Sequence, residues 1–226
     1  MATSEIKGPL TLGAEFPNLE VDTSKGKLKL HDYFGDKWGI LFSHPADFTP
    51  VCTTELSEVV KLIPDFEKLN VKVIALSCND TDSHNGWIKD IQNYGNCAGE
   101  FPYPIIADPK RELAVGLGML DPVEKDKTGL PLTCRAVFII GPDKKLKLSL
   151  LYPATTGRNF NEIIRVIESL QLTMYKKVAT PANWTCGGEC MVLPTVSADD
   201  AKTLFPKHKV VELPSGKPYM RFTPQP

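Results

Sequence analysis

Long apolar runs are missing from this sequence: no stretch approaches the length needed to span a bilayer. The opening "MATSEIKGPL" also lacks the basic start and apolar run of a signal peptide. The expectation is a cytoplasmic protein without integral membrane association. Charge of one sign is lacking as well. The 26 Lys and Arg against 27 Asp and Glu leave a formal net charge of −1, with no block of five or six like charges, which argues against nucleic acid as a partner. Cysteine is sparse; six in 226 residues are too few for a disulfide framework, so each thiol is read as free, catalytic or metal-bound. Repeats and low-complexity tracts are absent. What is present, 42% apolar residues over this length, buries a sizeable core and suggests one main domain with an appendage.

Short β-rich runs alternate with helical patterns. Trp38–Ser43, Val71–Ser77, Ala136–Ile140 and Leu146–Tyr152 have strand length and composition. Between the first two, Leu56, Val59, Val60, Ile63 and Phe66 recur at helical spacing, with Pro64 as an expected kink. Further helices are expected in "SHNGWIKDIQNY", "KRELAVGLG" and "NFNEIIRVIESLQLTMYKK". This alternation predicts an α/β layered domain over 1–176. From 177 to 226 the texture changes, because seven of the nineteen prolines fall there. Met191, Val192, Leu193, Val196, Leu204, Phe205, Val210 and Val211 are too many for a disordered tail and too scattered for a core of their own. The segment is expected to pack on the main domain or on a second subunit.

The chemistry concentrates in "HPADFTPVC", His44 to Cys52. The strand ending at Ser43 breaks at His44-Pro45, and a helix is expected to start at Thr49-Pro50, with Thr49 as N-cap and Pro50 at the first helical position. Cys52 then lies in the first turn, where unpaired N–H groups and the helix dipole favour a thiolate. Three readings compete: a buried apolar filler, a dithiol oxidoreductase and a metal ligand. The helix-start context weighs against the first. Thr49 occupies the position a dithiol motif needs for its other cysteine, and a hydroxyl forms no disulfide. His44 alone does not complete a metal site, and no metal or cofactor is expected.

"PADFTPVC" fits the Pro-x-x-x-Thr-x-x-Cys signature of peroxiredoxins. The stretches "GILFSHPADFTPVCTTEL", "PLTCRAVFIIGPDKKLKLSLLYPATTGRN", "MVLPT" and "ELPSGKPYMRFTPQP" extend the likeness over nearly the whole chain, which resembles the one-cysteine, peroxiredoxin 6-like subfamily. The resemblance implies a thioredoxin-like fold, a central mixed β-sheet flanked by helices, followed by a smaller C-terminal dimerisation domain. It further implies reduction of hydrogen peroxide and of organic and phospholipid hydroperoxides through a Cys52 sulfenic acid. The expected partners are the peroxide, an external thiol such as glutathione with a glutathione transferase as helper, and a second copy in a homodimer. The Thr49 hydroxyl, the Cys52 N–H and the Arg135 guanidinium are expected to donate to the leaving oxygen. Pro45 shields the thiolate, Glu55 orients an arginine one turn on, and Arg158 resembles a second arginine near the pocket. His44 resembles the subfamily histidine beside the cysteine, and its other reading, a histidine hydrogen-bonded at a strand end, stays open.

The remaining cysteines receive plainer readings. Cys78 and Cys134 are expected as buried fillers, Cys97 in an exposed loop, and Cys186 and Cys190 in "CGGEC" as nearer to each other than to Cys52, outside a cycle that uses one protein cysteine. Some subfamily members carry a phospholipase A2 activity on a Gly-x-Ser-x-Gly segment. Here "GDKWG" puts Lys37 in the serine position, although His31 and Asp143 match the other two residues, so that activity is not expected. A peroxide sensor or chaperone-like relay, sharing the first oxidation of Cys52, remains the alternative function.

Overall fold

The computed structural model describes residues 9–226; the first eight residues, most of the opening "MATSEIKGPL" that lacks signal-peptide features, lie outside the described residues. By internal contacts the chain divides between Phe160 and Asn161 into two compact units. The first holds strands β1 (Glu20–Thr23) and β2 (Gly26–Lys29), helix α1 (Leu30–Phe34), β3 (Trp38–Ser43), α2 (Pro50–Lys68), β4 (Val71–Ser77), α3 (Thr81–Gly95), β5 (Ile105–Ala107), α4 (Glu112–Gly116), β6 (Leu120–Lys125), β7 (Pro131–Thr133), β8 (Arg135–Ile140) and β9 (Leu146–Tyr152). The second follows with α5 (Phe160–Tyr175), β10 (Val178–Ala179), β11 (Cys190–Val192), α6 (Ala198–Leu204), β12 (Lys209–Val210) and β13 (Arg221–Thr223).

In the first unit seven strands form one mixed sheet in the order β2-β1-β5-β4-β3-β8-β9. β3, β4 and β5 run parallel, joined through α2 and α3, while β8 returns antiparallel to β3. Every residue of β3 and of β8 is buried, the signature of strands covered on both faces. On β9 only Leu146 is buried and the other residues are half-buried or exposed, as suits an edge. One core cluster gathers Phe16, Leu41, Ile74, Leu76, Ile106, Phe138 and Ile140. The antiparallel register Gly39↔Ile140 through Phe42↔Val137 places the start of β8 beside the end of β3. Ser43 locks that meeting point, its hydroxyl donating to the Cys134 carbonyl at 2.6 Å and accepting from the Ala136 N–H at 3.0 Å. Arg135 is thereby delivered to the end of β3 from which α2 departs.

The second unit has a core of its own: Val178, Trp184, Cys190, Val192, Val196, Ala201 and Phe205, with Leu172 of α5 packed against them. This corrects the expectation of a segment too scattered to pack on itself. Trp184, Cys190 and Leu172 of α5 add to those scattered residues, and together they close a small core with the antiparallel sheet β10-β11-β13-β12. For the same reason α5, read from the sequence as the end of the first domain, is grouped with the second unit. α2 runs unbroken through Pro64.

Gly39 carries a specific steric demand. A Cβ there would lie 2.7 Å from the Phe34 ring, and Phe34 is itself fully buried. Gly39→Ala is expected to destabilise the fold by about 1–3 kcal/mol, the range for overpacking a filled core. Denaturant unfolding, read by tryptophan fluorescence, checks the value.

Candidate active site

The site lies at the carboxyl ends of the parallel strands, the usual location in open α/β sheets. Between His44 and Thr49 the chain reverses through Phe48, whose φ of 54° is left-handed and unfavourable for a bulky residue. The reversal aims the amino end of α2 back at β3 and β8. Thr49 stands at the N-cap with extended backbone, and Pro50 opens the helix. Its hydroxyl makes no cap bond; it donates to the Ala46 carbonyl at 2.8 Å. Two expectations change as a result. The first-turn N–H groups lack the side-chain cap, and the Thr49 proton is committed, so what Thr49 offers a substrate is its oxygen lone pairs.

Cys52 sits in that first turn with no exposed surface, and Pro45 beside it in the connection is also buried. The Cys52 sulfur receives a hydrogen bond from Arg135 Nη1 at 3.3 Å, and the same nitrogen donates to Glu55 Oε2 at 2.8 Å. The rest of the Arg135 guanidinium is fixed by the Ala154 carbonyl, which accepts from Nε at 3.0 Å and Nη2 at 2.6 Å. Glu55 also binds Arg158, taking Nε at 3.0 Å and the backbone N–H at 2.7 Å on Oε1, and Nη2 at 2.7 Å on Oε2. Arg158 Nη1 reaches the Ala136 carbonyl at 2.7 Å, and its guanidinium lies over the rings of Phe42 at 5.2 Å and Phe160 at 5.4 Å. Glu55 therefore orients two arginines, where the sequence suggested one.

Burial alone would raise the Glu55 carboxyl; the hydrogen bonds and charge of Arg158, with the charge of Arg135, outweigh it and hold Glu55 below the ordinary carboxylate range. Elsewhere burial prevails over the groups that oppose it. It pushes the Cys78 thiol up to about 11 and raises those of Cys134 and Cys190. Cys97 is half-buried, and Cys186 is exposed while Cys190 is buried in the second core, so the two thiols of "CGGEC" sit in unlike surroundings and remain unbonded.

His44 is fully buried at the end of β3, with Nε2 2.8 Å from Asp47 Oδ1. Asp47 in turn meets His84 Nδ1 at 2.7 Å. Neither Asp47 nor His84 stood out in the sequence. The available signal was His84 on the same helical stripe as Trp87 and Ile91, a polar residue on an otherwise apolar face of α3. At "GDKWG", Gly35 ends α1 with a left-handed φ of 53° and Gly39 yields space to Phe34, so both glycines have structural reasons. His31 bonds the Phe16 carbonyl, and Asp143 pairs with Lys147 at 2.6 Å.

Glu55→Gln leaves two buried guanidinium groups short of their shared counter-charge and is expected to cost about 3–5 kcal/mol. The wild-type carboxyl is depressed on folding, so its stabilisation is present above the unfolded carboxylate pKa and is lost as pH falls through the lower folded one. Urea unfolding across the acidic range should show that loss in the wild type and a flatter dependence in Glu55→Gln.

Residues 12–149 match the AhpC/TSA family model, and residues 169–208 match the C-terminal domain of 1-Cys peroxiredoxin. Peroxiredoxin-6 of Gallus gallus is 62% identical over 220 residues, covering 96% of this chain and 98% of that protein. A cysteine-to-serine mutant of the peroxiredoxin 6 of Arenicola marina superposes with a TM-score of 0.95 at 64% identity, over 96% of this chain and 99% of that one. A yeast mitochondrial 1-Cys peroxiredoxin, described for thiol resolution via glutathione/thioredoxin systems, gives a TM-score of 0.87 at 45% identity over 95% and 99%. The chain belongs to the AhpC/TSA family, in its 1-Cys peroxiredoxin branch, and is a thiol-dependent peroxidase.

Proposed function

We propose that Cys52 is the peroxidatic residue and that Arg135, Thr49 and Pro45 form its immediate machinery. The supporting observation is the Arg135 guanidinium, which donates to the Cys52 sulfur while Glu55 and the Ala154 carbonyl fix its plane. The Cys52 thiolate attacks the terminal peroxide oxygen; the S–O bond forms as the O–O bond breaks, and the leaving alkoxide or hydroxide takes up the proton released by the thiol. Arg135 and the uncapped N–H groups of the first turn stabilise charge on the departing oxygen, and Thr49 Oγ1 accepts from the peroxide hydroxyl. Pro45 keeps water from the sulfur, Glu55 and Arg158 hold Arg135, and His44 takes the place of the subfamily histidine that the resemblance implies. An external thiol then attacks the sulfenic sulfur, expelling water, and a second thiol releases Cys52 with formation of a disulfide between the two.

Organic and phospholipid hydroperoxides as substrates, glutathione as the reductant with a glutathione transferase as helper, and a cytoplasmic setting belong to the same proposal. The yeast relative supports glutathione. Serine-dependent lipid hydrolysis is not part of it, since Lys37 has no hydroxyl. Cys52→Ser is expected to abolish peroxide reduction with an unchanged circular dichroism spectrum. Arg135→Ala is expected to lose about 2–4 kcal/mol of transition-state stabilisation. Peroxide consumption with glutathione over many turnovers is the measurement. A single stoichiometric oxidation that then stops would favour the sensor or relay reading.

The proposed homodimer draws support from the open edge of β9, where Leu151 is 61% exposed, and from Leu204, Val210 and Tyr219, exposed on the second unit. Sedimentation at micromolar concentration is expected to give a dimer, and Leu151→Lys to shift the population towards monomer.

A further inference from the structure

A second buried charge set adjoins the thiol site, and the chemistry above assigns it no role. The Asp47 carboxylate is surrounded by donors: His44 Nε2 at 2.8 Å and Ser77 Oγ at 3.4 Å on Oδ1, His84 Nδ1 at 2.7 Å and Ser83 Oγ at 2.8 Å on Oδ2. The side chains of His44, Asp47 and His84 have no exposed surface. The set touches the site from two directions. The Thr133 hydroxyl, two residues before Arg135, donates to the His44 carbonyl at 2.6 Å. Trp87, whose ring centroid lies 5.0 Å from that of His44, donates to the hydroxyl of Thr53, the neighbour of Cys52.

The protons can be placed from the bonding partners. His84 Nε2 faces the Ile106 carbonyl at 3.1 Å, an atom that only accepts, so Nε2 carries hydrogen. Its Nδ1 faces a carboxylate oxygen. Both bonds are satisfied at once when His84 is an imidazolium on an ionised Asp47. Asp47 fits that state: burial raises its carboxyl, but the hydrogen bonds of His44 and His84 and the charge of His84 oppose burial, and the carboxyl lies well below the ordinary range. With the carboxylate already balanced, His44 donates through Nε2–H as a neutral ring, and its buried Nδ1 has no hydrogen-bond partner among the described residues. A proton on Nδ1 would be a buried, unbonded donor on a cation, within Coulomb reach of His84 and Arg158. Burial also lowers the His44 pKa, against the pull of Asp47.

We propose that Asp47 and His84 are positioning residues of this peroxidase: their buried ion pair holds His44 as the neutral Nε2–H tautomer and keeps its Nδ1 able to accept a hydrogen bond. The groups facing His44 are Asp47 from its own connection, His84 and Trp87 from α3, and Arg158 by its charge; the end of β4 and β5 contribute hydroxyls, an amide and a carbonyl. The inference rests on the peroxidase reading of Cys52, but its first test does not use activity.

Nitrogen-15 NMR of the histidine rings in the whole reduced protein, at about pH 7, is expected to show His84 protonated on both nitrogens and His44 on Nε2 alone. A neutral His84, or a His44 protonated on Nδ1, overturns the proposal whatever the enzyme's rate. His84→Asn keeps a donor for Asp47 but removes the positive charge, so the carboxylate draws its balancing proton onto His44. In that variant His44 is expected to become doubly protonated, and peroxide reduction to gain an acid limb falling about tenfold per pH unit below the new titration. A His84→Asn profile parallel to the wild type between about pH 6 and 8, with His44 still neutral, also overturns it. Should the variant not fold, the wild-type spectrum decides alone. A wild-type protein with correct ring protonation but no Cys52-dependent turnover would instead sink the peroxidase reading.

Discussion

The carboxylate of Glu55, clamped between Arg135 and Arg158, is the interaction on which the rest of the site depends. It joins three pieces of chain far apart in sequence: the first turns of α2, the start of β8, and the loop before α5. In a buried setting one anion between two cations is tolerable only when the remaining donors also find acceptors, and they do, at the Ala154 and Ala136 carbonyls. The clamp leaves one excess positive charge among its three members. The sulfur of Cys52, at the edge of the cluster, is where a compensating negative charge is best placed.

The two buried ionic sets divide the labour. Around Asp47 the balance closes internally, one carboxylate against one imidazolium, which keeps the neighbouring His44 neutral. Around Glu55 the balance is left open toward the thiol. The strands impose this arrangement: antiparallel β8 brings Arg135 to the end of β3, whereas parallel β4 leads into α3 and so brings His84 to the same end from the other side.

How much of this could be read from the residues depended on how each residue's environment is written locally. Trp38–Ser43 and Val71–Ser77 are short β-rich runs, and the structure gives both strands with those ends. β1 and β2, polar and four residues each, and the three-residue β5 carry no such pattern, because their pairing partners supply most of the stabilisation. The amino end of α2 was announced by Thr-Pro, yet where the Thr49 proton goes depends on the carbonyl of Ala46 in a reversal that only tertiary structure fixes. Glu55 was legible from its place one turn after Cys52, and Arg135 from its place before an apolar strand, where a lone charge needs an anionic partner. The links from Asp47 to His84, 37 residues apart, and from Glu55 to Arg158, 103 apart, come from topology rather than spacing.

Cys52 has no exposed surface, and this separates the two reactants of the catalytic cycle by size. A hydroperoxide needs only to insert its terminal –OOH, and the compact state that surrounds the sulfur with donors is the right one to receive it. A thiol reductant must bring its own sulfur to about 2 Å, the length of the bond being made, and carries a whole molecule behind it. One rigid conformation cannot serve both. The turn best placed to give way is the one whose N-cap hydroxyl is spent elsewhere and whose preceding residue, Phe48, holds an unfavourable φ, so opening relieves strain there. The lifetime of the sulfenic acid is then set by how often that turn opens, and a second peroxide, small enough not to wait for it, competes for the same sulfur throughout.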